Sequence, residues 1–427
     1  MRRLSSHNAA LIALLSVVAF SSLAQPKYAN PAGKKFPIVA WYQMLHEEDA
    51  SKERYQKLAD GGFTLVLSRF EKDSNINNAL NAIQGTGLKF ILANSMITGI
   101  PNDIKDFIGR YKNKDNIALW DTWDEPLPRI FPTLKEKIAA MLSVNGNHKM
   151  HHLNLFPSYV SRDSLGCSYE EYIDRAIHEL SLPFVSYDHY PVYEHLDTTT
   201  NTWDVIFRDD FYQNFELVRK VCNKNDSIPF WAFCMSSAHQ KPGSEFRQPS
   251  PSLGLLKLEA HAALAYGAQG LQYYRIAAVD RDSLKFTNVP IDSAGNTNFV
   301  WNHIKTVNQK IQKHASIFLG NKVYYVWHFK PIKQRDFSIG DITLTAPLPS
   351  QFTSIDGHLD EGVLASHFTN GNRHFMMIVN KNYKQAQTVS VKRESNVRLV
   401  NSDGIFIRDN HVDFSVPAGD YILFTWV

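Results

Sequence analysis

Short apolar runs alternate with amphipathic stretches along most of this chain. An apolar run of about 4–8 residues predicts a buried strand, and apolar residues three and four positions apart predict a helix that packs along one face. Between residues 36 and 318 the two patterns follow each other without a break. The predicted strands cover 36–42, 63–69, 88–94, 117–120, 151–156, 183–190, 228–235 and 270–276, and the predicted helices cover 50–59, 77–84, 103–110, 133–142, 169–180, 211–222, 253–266 and 299–314.

Strands and helices in this order predict an α/β fold class, with residues 36–318 forming a (β/α)₈ TIM barrel. A doubly wound open sheet, which also alternates strands with helices, is the alternative. From residue 322 the pattern changes to short strands divided by Asn, Gly and Asp turns, with no helical period. Residues 322–427 are therefore predicted to form a small all-β sandwich domain, with strands at 323–329, 362–368, 374–379, 387–391, 397–400 and 421–426.

The start of the chain has a different composition. Two arginines precede an apolar segment at 9–20, and small residues at 22–24 form a typical cleavage site. We therefore interpret residues 1–24 as a signal peptide and 25–35 as a polar leader. An exported protein is expected, which is periplasmic, secreted or held at the cell surface. The apolar segment is too short to span a membrane comfortably, and no transmembrane segment is predicted.

Composition narrows the class of partner. The chain has 427 residues, of which 44% are hydrophobic and 20% are charged, as in an ordinary globular protein. A net charge of +3 gives no reason to expect a nucleic acid. Three widely spaced cysteines form no zinc motif, and no Gly-rich phosphate loop follows a predicted strand. No metal and no cofactor is therefore predicted, and the sequence makes no prediction of oligomeric state.

The stretch 116–126 combines a short apolar run with three acids. A predicted strand at 117–120 is followed by Asp121, Asp124 and Glu125 and is closed by a proline. The carboxyl ends of barrel strands are the places where catalytic side chains gather. The sequence therefore predicts that this stretch carries part of an active site.

The residues that end the other predicted strands are expected to meet at the same edge of the barrel. They combine carboxylates, amides and aromatic rings, which are costly to bury in a core and suit a polyhydroxylated ligand. The predicted partner is therefore an oligosaccharide or polysaccharide. The candidate site residues are Trp41, Arg69, Asn94, Asp121, Asp124, Glu125, Asn154, Asp188, His189, Tyr190, His239, Gln272, Tyr274 and Arg275.

Some members of this set have a structural alternative. Arg69 and Arg275 are equally suited to structural ion pairs. Asp124 and Asp188 are the expected partners in that case. His189 fits a hydrogen-bonded pocket residue better than a metal ligand, because no second histidine stands at ligand spacing.

Asp124-Glu125-Pro126 after a strand resembles the Asn-Glu-Pro ending of strand four in the clan A (β/α)₈ glycoside hydrolases. The Ala-rich stretch 259–274 is similar to the last repeat of that clan's β-galactosidase-like members. The predicted sandwich is similar to the β domains that these enzymes often carry. The resemblance implies a glycoside hydrolase with Glu125 as general acid/base, and it implies a nucleophile that ends strand seven.

This chain departs from the clan at two positions. Asp124 stands where the clan has Asn, and residues 230–237, at predicted strand seven, contain no acid. Glu245 lies further along the following loop. Two schemes supply a second carboxylate. In the first, Asp188 is the nucleophile or the base that activates water. In the second, Asp124 orients the acetamido group of the substrate, as in β-hexosaminidases, which also carry an Asp-Glu pair at the end of strand four.

The leading hypothesis is an exported glycoside hydrolase that acts on oligosaccharides or polysaccharides. The alternatives are a substrate-assisted N-acetylhexosaminidase, which uses Asp124 and Glu125, and a carbohydrate-binding barrel without catalysis, because strand seven lacks its acid. As an acid catalyst Glu125 must be protonated near neutral pH. A neighbouring anion and an apolar wall such as Trp120 are expected to raise its pKa.

Overall fold

The computed structural model describes residues 28–44, 46–145, 149–277, 284–329 and 346–427. The predicted signal peptide at 1–24 lies outside the described residues, as does the start of the leader. Along the described ranges no helix is both long enough and apolar enough to cross a membrane.

Eight parallel strands close into a barrel, so the predicted fold class is confirmed and the doubly wound alternative is wrong. Each barrel strand pairs with the next one along the chain, and the last strand closes on the first, for example at Val39 and Gln272. The barrel strands are β1 (Ile38–Tyr42), β2 (Leu65–Arg69), β3 (Lys89–Ala93), β4 (Ile117–Asp124), β5 (Met150–Leu155), β6 (Val185–Tyr187), β7 (Phe230–Met235) and β8 (Gly270–Ala277).

A long helix follows each barrel strand, as the sequence predicts. Some of the helices begin at a residue whose side chain caps the first turn, and Ser51 shows this because its side chain accepts a hydrogen bond from the Arg54 amide. The long helices are α1 (Lys52–Asp60), α2 (Asp73–Ala82), α3 (Pro101–Tyr111), α4 (Phe131–Asn145), α5 (Tyr169–Glu179), α6 (Phe211–Lys224), α7 (Leu253–Ala265) and α8 (Phe299–Lys313). Short helical turns lie at Glu47–Asp49, Ser95–Thr98, Pro128–Ile130, Arg162–Leu165 and Ala315–Phe318.

Alternation along the barrel strands divides their side chains between two layers. In β5, Met150 joins an apolar layer inside the barrel, whereas Leu153 and Leu155 pack outward against the helices. Because successive side chains of a strand point to opposite faces, His152 and Asn154 lie on the same inner side as Met150. The sequence of β5 therefore places apolar groups low in the barrel and polar groups towards its carboxyl end.

The C-terminal residues form the predicted all-β domain, which has two antiparallel sheets around an apolar core. The domain packs on α7, where Ser366 Oγ donates a hydrogen bond to the carbonyl of Ala265 over 2.6 Å. Burial on all sides explains why α7 is apolar around its whole circumference. The larger sheet contains Lys322–Phe329, Val363–Asn370, Arg373–Asn380, Tyr421–Trp426, Arg398–Val400 and Phe406–Ile407, and the smaller one contains Phe352–Gly357, Gln387–Arg393 and Asp413–Val416.

A further antiparallel sheet, outside the C-terminal domain, was not predicted from the sequence. It is built from the connections that follow β6, β7 and β8, and we call it the side sheet. Its strands are largely half-exposed or exposed, so they carry polar residues on both faces and lack the apolar run that marks a barrel strand. In spatial order the side sheet consists of Lys285–Thr287, Ala238–Gln240, Phe246–Gln248, Val192–Asp197 and Thr202–Phe207.

Candidate active site

Three of the predicted acids meet with one amide at the carboxyl end of the barrel. Asp124 ends β4 and Glu125 follows it, while Asn154 lies on β5 and Asp188 follows β6. We call these four residues the carboxylate site. Three adjacent barrel strands supply the site, so its geometry depends on strands that are held by the barrel's hydrogen bonds.

Glu125 has an unusual backbone conformation. Its φ is +50°, a value that a residue with a side chain seldom adopts. The Glu125 amide donates to the carbonyl of Asn154 over 2.9 Å, and the Tyr172 hydroxyl donates to the carbonyl of Pro126 over 2.9 Å. The turn is therefore held on both sides by neighbouring elements. Backbone strain that is supported in this way is concentrated at functional sites.

Glu125 and Asp188 form a carboxyl–carboxyl pair. Their side chains share a hydrogen bond, which requires a proton on one of the two groups. Burial and then the charges of Asp188 and Asp124 raise the pKa of Glu125 to about 8. Burial and then the charge of Asp124 raise the pKa of Asp188 to about 7, against the hydrogen bond from Asn154. Between about pH 7 and pH 8 the pair therefore holds one proton.

Asn154 connects the remaining carboxylate to this pair. Its Nδ2 donates to Asp188 Oδ1 over 2.9 Å and to Asp124 Oδ1 over 3.1 Å. The pKa of Asp124 is raised, chiefly because the surrounding protein displaces water from the carboxylate. The hydrogen bond from Asn154 opposes this shift, and the charge of Asp121 adds to it. Asp188 is buried, whereas Asp124 remains exposed to solvent. One amide thus fixes the distance between two carboxyl groups that differ in burial.

A chain of hydrogen bonds crosses the barrel interior and ends at Asn154. Asp121 Oδ1 contacts His152 Nδ1 at 2.8 Å, and His152 Nε2 contacts Gln272 Oε1 at 2.9 Å. Gln272 Nε2 donates to Ser186 Oγ over 2.7 Å, and this hydroxyl donates to Asn154 Oδ1 over 2.9 Å. We call this chain the relay. It joins side chains of β4, β5, β6 and β8 and orients the amide that holds Asp124 and Asp188.

His152 and Ser186 were not predicted from the sequence. The predicted site residues end each strand, whereas these two lie on the inner face just below the strand ends. The period-two alternation of β5 contained the signal, because it places His152 on the same face as Asn154.

Aromatic side chains line one side of the carboxylate site. The Trp41 ring lies 5.6 Å from the Tyr274 ring and 6.4 Å from His152. Tyr274 in turn lies 6.4 Å from Tyr190 and 5.8 Å from His239. The structure therefore brings these four predicted residues, Trp41, Tyr190, His239 and Tyr274, into one wall. Such a wall offers apolar faces to the C–H groups of a sugar ring.

Two predicted residues do not join the carboxylate site. Arg69 is exposed and pairs with Glu71 over 2.5 Å, so the alternative that it forms an ion pair with Asp124 or Asp188 is wrong. Asn94 is buried and uses its side chain on backbone groups, since Nδ2 donates to the Phe70 carbonyl. Its Oδ1 accepts from the Met96 amide, which caps the turn Ser95–Thr98. Position at a strand end sets the height of a residue in the barrel but not the direction of its side chain.

His189 and Arg275 contact polar groups near the rim. His189 Nε2 lies 3.1 Å from Asp210 Oδ1, which fits the pocket residue suggested as its alternative role. Arg275 Nη2 donates to Gln43 Oε1 over 2.9 Å, and its Nε donates to the Ala277 carbonyl over 3.1 Å. Both side chains are therefore anchored to neighbouring elements.

Strand seven supplies no carboxylate, as the sequence predicts. β7 is buried and apolar along its length. Glu245 is exposed beside the side sheet, where its carbonyl accepts the Leu196 amide over 2.8 Å. Glu259 on α7 accepts the Met235 amide over 3.2 Å and is buried, which raises its pKa well above the usual value. Within the described ranges, Asp188 is therefore the carboxyl group hydrogen-bonded to Glu125.

Among the described residues, no three His, Cys, Asp or Glu side chains are grouped to hold a metal ion. The three cysteines, Cys167, Cys222 and Cys234, are buried free thiols.

Part of the sequence matches a known family. Residues 161–314 match the family model Glyco_hydro_42, which is described as β-galactosidase. The matching segment begins after β5 and ends with α8, so it includes Asp188 and does not include Glu125. Among curated proteins, none is matched by the sequence.

Solved structures of β-galactosidases are similar to this chain. The enzyme from Bacillus circulans sp. alkalophilus is similar over 92% of this chain and 99% of its own, with a TM-score of 0.64 and 9% identity. The enzyme from the haloarchaeon Halorubrum lacusprofundi is similar over 68% and 60%, with a TM-score of 0.51 and 11% identity. The enzyme from Marinomonas ef1 is similar over 65% and 60%, with a TM-score of 0.49 and 11% identity.

These likenesses concern the fold. The similar region spans 60% of the length of the Halorubrum and Marinomonas enzymes and nearly all of the Bacillus enzyme. Together with the family match, the shared barrel and β domain confirm the resemblance to clan A (β/α)₈ glycoside hydrolases that Asp124-Glu125-Pro126 suggested.

Proposed function

We propose that the protein is a glycoside hydrolase in which Glu125 is the general acid/base and Asp188 is the second carboxylate. The observation that carries this proposal is the grouping of Glu125 with Asp188 at the carboxyl end of the barrel, where Asn154 bridges Asp188 and Asp124 over 2.9 and 3.1 Å and burial raises the pKa values of Glu125 and Asp188. An acid catalyst needs a pKa near the working pH, and its partner must be ionised at the same time. A pair that shares one proton satisfies both requirements.

The proposed first step uses this proton. Glu125 donates it to the glycosidic oxygen while the bond between that oxygen and the anomeric carbon breaks. Retaining enzymes hold their carboxyl groups roughly 5 Å apart, and inverting enzymes hold them at about 6.5–9.5 Å to leave room for water. The side-chain hydrogen bond between Glu125 and Asp188 supports the shorter spacing. Asp188 then attacks the anomeric carbon and forms a glycosyl ester.

The second step releases the sugar. Glu125, now ionised, takes a proton from water as the water oxygen attacks the anomeric carbon, and the ester bond to Asp188 breaks. The carboxylate of Asp188 and the proton on Glu125 are restored. Asn154 supports this cycle, because its bond to Asp188 Oδ1 holds the nucleophile in place while its charge changes.

The substrate class follows from the family match and the aromatic wall. The match of residues 161–314 to a β-galactosidase model supports oligosaccharides or polysaccharides with β-galactosidic bonds as the first substrates to test. The wall of Trp41, Tyr190 and Tyr274 supports a sugar beside the carboxylate site.

The decisive experiment compares purified wild-type protein with Glu125→Gln on a panel of aryl glycosides, oligosaccharides and polysaccharides. Glu125→Gln should lower turnover of substrates with poor leaving groups by about 10²–10⁴-fold. Glu245→Gln is the matched control, because Glu245 is exposed outside the carboxylate site, and it should keep wild-type activity. Full activity in Glu125→Gln would refute the assignment. Glycan binding without turnover by wild-type protein would instead favour the carbohydrate-binding barrel.

We also propose that the protein is exported. The two arginines, the apolar segment at 9–20 and the small residues at 22–24 support a cleaved signal peptide. Expression of the full chain in a bacterial host, followed by N-terminal sequencing of the periplasmic fraction, tests this proposal. A mature end near Gln25 is expected, and an uncleaved cytoplasmic product would contradict it.

A further inference from the structure

We propose that a cavity beside the carboxylate site binds an anionic substituent of the sugar chain, a carboxylate or a sulfate ester. This inference rests on the proposed function and adds the charge class of its substrate. The cavity has a volume of about 330 Å³ and lies against the side sheet. We call it the side cavity. Its lining includes Tyr193, Arg208, His239, Lys241, Arg247 and Gln248.

Arg208 lies between two aromatic rings beside the side cavity. Its guanidinium carbon lies 4.3 Å from the centroid of the Tyr159 ring and 4.5 Å from that of the Tyr193 ring. Two rings at this distance hold the planar group in place without neutralising its charge. The guanidinium is therefore ordered in advance of binding, which lowers the entropic cost of a bidentate contact to a carboxylate or sulfate.

Arg208 has no acidic partner within ion-pair distance among the described residues. Its Nε is buried and lacks a hydrogen-bond partner along the same ranges. The nearby Asp210 is already engaged, since it contacts His189 and accepts the Ser158 hydroxyl. A buried guanidinium donor that stays unpaired carries a desolvation cost, and an anionic ligand would remove that cost.

The other side chains that line the side cavity are positively charged or neutral. Arg208, Lys241 and Arg247 line the side cavity, and no Asp or Glu does. Arg247 is ion-paired with Glu194 outside the lining and stacks 4.0 Å above the Trp203 ring. The unbalanced charge thus comes from Arg208 and Lys241. Gln248 adds a buried Oε1 without a partner in the described part of the chain, which can accept a sugar hydroxyl.

Two side chains, His239 and Tyr159, link the side cavity to the surroundings of the carboxylate site. His239 lines the cavity and also contacts the rings of Tyr190 and Tyr274 in the aromatic wall. Tyr159 stacks on Arg208, and after burial the charges of Asp188 and Glu125 raise its pKa. We therefore expect a sugar chain cleaved at Glu125 to extend towards Arg208. The cation also offsets the repulsion between an anionic sugar and the acids of the site.

The test compares neutral and anionic substrates. Wild-type protein and Arg208→Gln are assayed on a neutral β-galactoside oligosaccharide and on its galacturonate and galactose-6-sulfate analogues. Wild type should show a kcat/KM roughly 10- to 100-fold higher on at least one anionic substrate, and Arg208→Gln should lose this preference mainly through KM. Activity on the neutral substrate should change by less than about twofold. The two analogues distinguish a carboxylate from a sulfate.

Controls separate a binding role from a structural one. Arg408→Gln removes an exposed arginine from the C-terminal domain and should leave the preference intact. Arg208→Lys keeps the charge and loses the planar fork, so part of the preference should return. Equal rates of wild type on neutral and anionic substrates would overturn the proposal. An equal loss on both substrates in Arg208→Gln would also overturn it, because Arg208 would then only support the wall.

A binding measurement keeps this test independent of the proposed function. If no glycoside is turned over, calorimetry with galacturonic acid, galactose 6-sulfate and galactose still reports on the side cavity. Tighter binding of either acid than of galactose, lost in Arg208→Gln and weakened by added salt, is the expected result. Identical binding of all three sugars would refute the anionic subsite.

Discussion

Glu125 and Asp188 share a side-chain hydrogen bond across the carboxyl ends of β4 and β6. Clan A enzymes are expected to use an acid on strand seven, yet β7 of this protein is apolar. The carboxyl group beside Glu125 is instead that of Asp188, at the end of β6. Asn154, on the intervening strand β5, donates hydrogen bonds to both Asp188 and Asp124.

The dependence of activity on pH should follow this pair. Glu125 acts as acid only when protonated, so kcat/KM should fall as pH rises through about 8. Asp188 acts as nucleophile only when ionised, so kcat/KM should fall as pH drops through about 7. A narrow bell-shaped profile is expected, and its two apparent pKa values belong to the pair. In Asp188→Asn the lost charge should lower the pKa of Glu125. The residual activity of this variant should then fall at a lower pH than that of the wild type. A profile that is flat from about pH 5 to pH 9 would contradict the mechanism.

Two isosteric variants distinguish the schemes for the second carboxylate. Asp188→Asn should lower kcat by about 10²–10⁴-fold because it removes the proposed nucleophile, whereas Asp124→Asn should cost about tenfold or less. Steady-state kinetics on β-galactosides and on N-acetylhexosaminides measure both effects. The reverse order of losses, together with a requirement for an N-acetyl group, would identify the substrate-assisted mechanism instead.

The relay should position Asn154 without touching the substrate. His152→Ala leaves Asp121 and Gln272 without their shared partner, so it should lower kcat about tenfold with little change in KM. The unpaired buried groups should also lower the free energy of unfolding by about 1–3 kcal/mol. His152→Gln retains hydrogen-bonding capacity and should recover part of both losses. Wild-type kcat in a destabilised His152→Ala protein would show that the relay is only structural.

A buried ion cluster joins the barrel to the C-terminal domain. Asp420 contacts Lys257 on α7 at 2.7 Å and Lys310 on α8 at 2.6 Å. Asp420→Asn leaves two lysines without their anion and should lower the free energy of unfolding by about 3–5 kcal/mol. Denaturant unfolding measures this loss. Asp403→Asn, which removes an exposed partner of Lys313, is the control and should hardly change the midpoint.

The same cluster predicts sensitivity to acid. The charges of the surrounding His261 and lysines, opposing burial, hold the pKa of Asp420 far below its usual value. Its stabilisation is therefore complete above the unfolded pKa of about 4 and is lost as pH falls towards the folded pKa. The stability difference between wild type and Asp420→Asn should shrink when pH is lowered below about 4. A constant difference over that range would contradict this role.

Hydrophobic patterning along the chain determined the order of strands and helices, because barrel strands and their helices must bury apolar faces. It predicted the closed barrel, the all-β domain and the three acids of the carboxylate site. The side sheet was not predicted because strands that are half-exposed on the protein surface carry no apolar run. Arg69 and Asn94 were assigned by their position alone, and their side chains turn to Glu71 and to backbone groups instead.

The sequence by itself therefore determined the fold and the acid Glu125, because burial and strand-end position are recorded in local patterns. Only the tertiary structure decided the partner of that acid. Closure of the barrel brings Asp188 against Glu125 and joins His152 to Gln272, which is 120 positions away in the chain. Contacts of this kind depend on which inner faces the closed strands present to one another, and no local pattern records them.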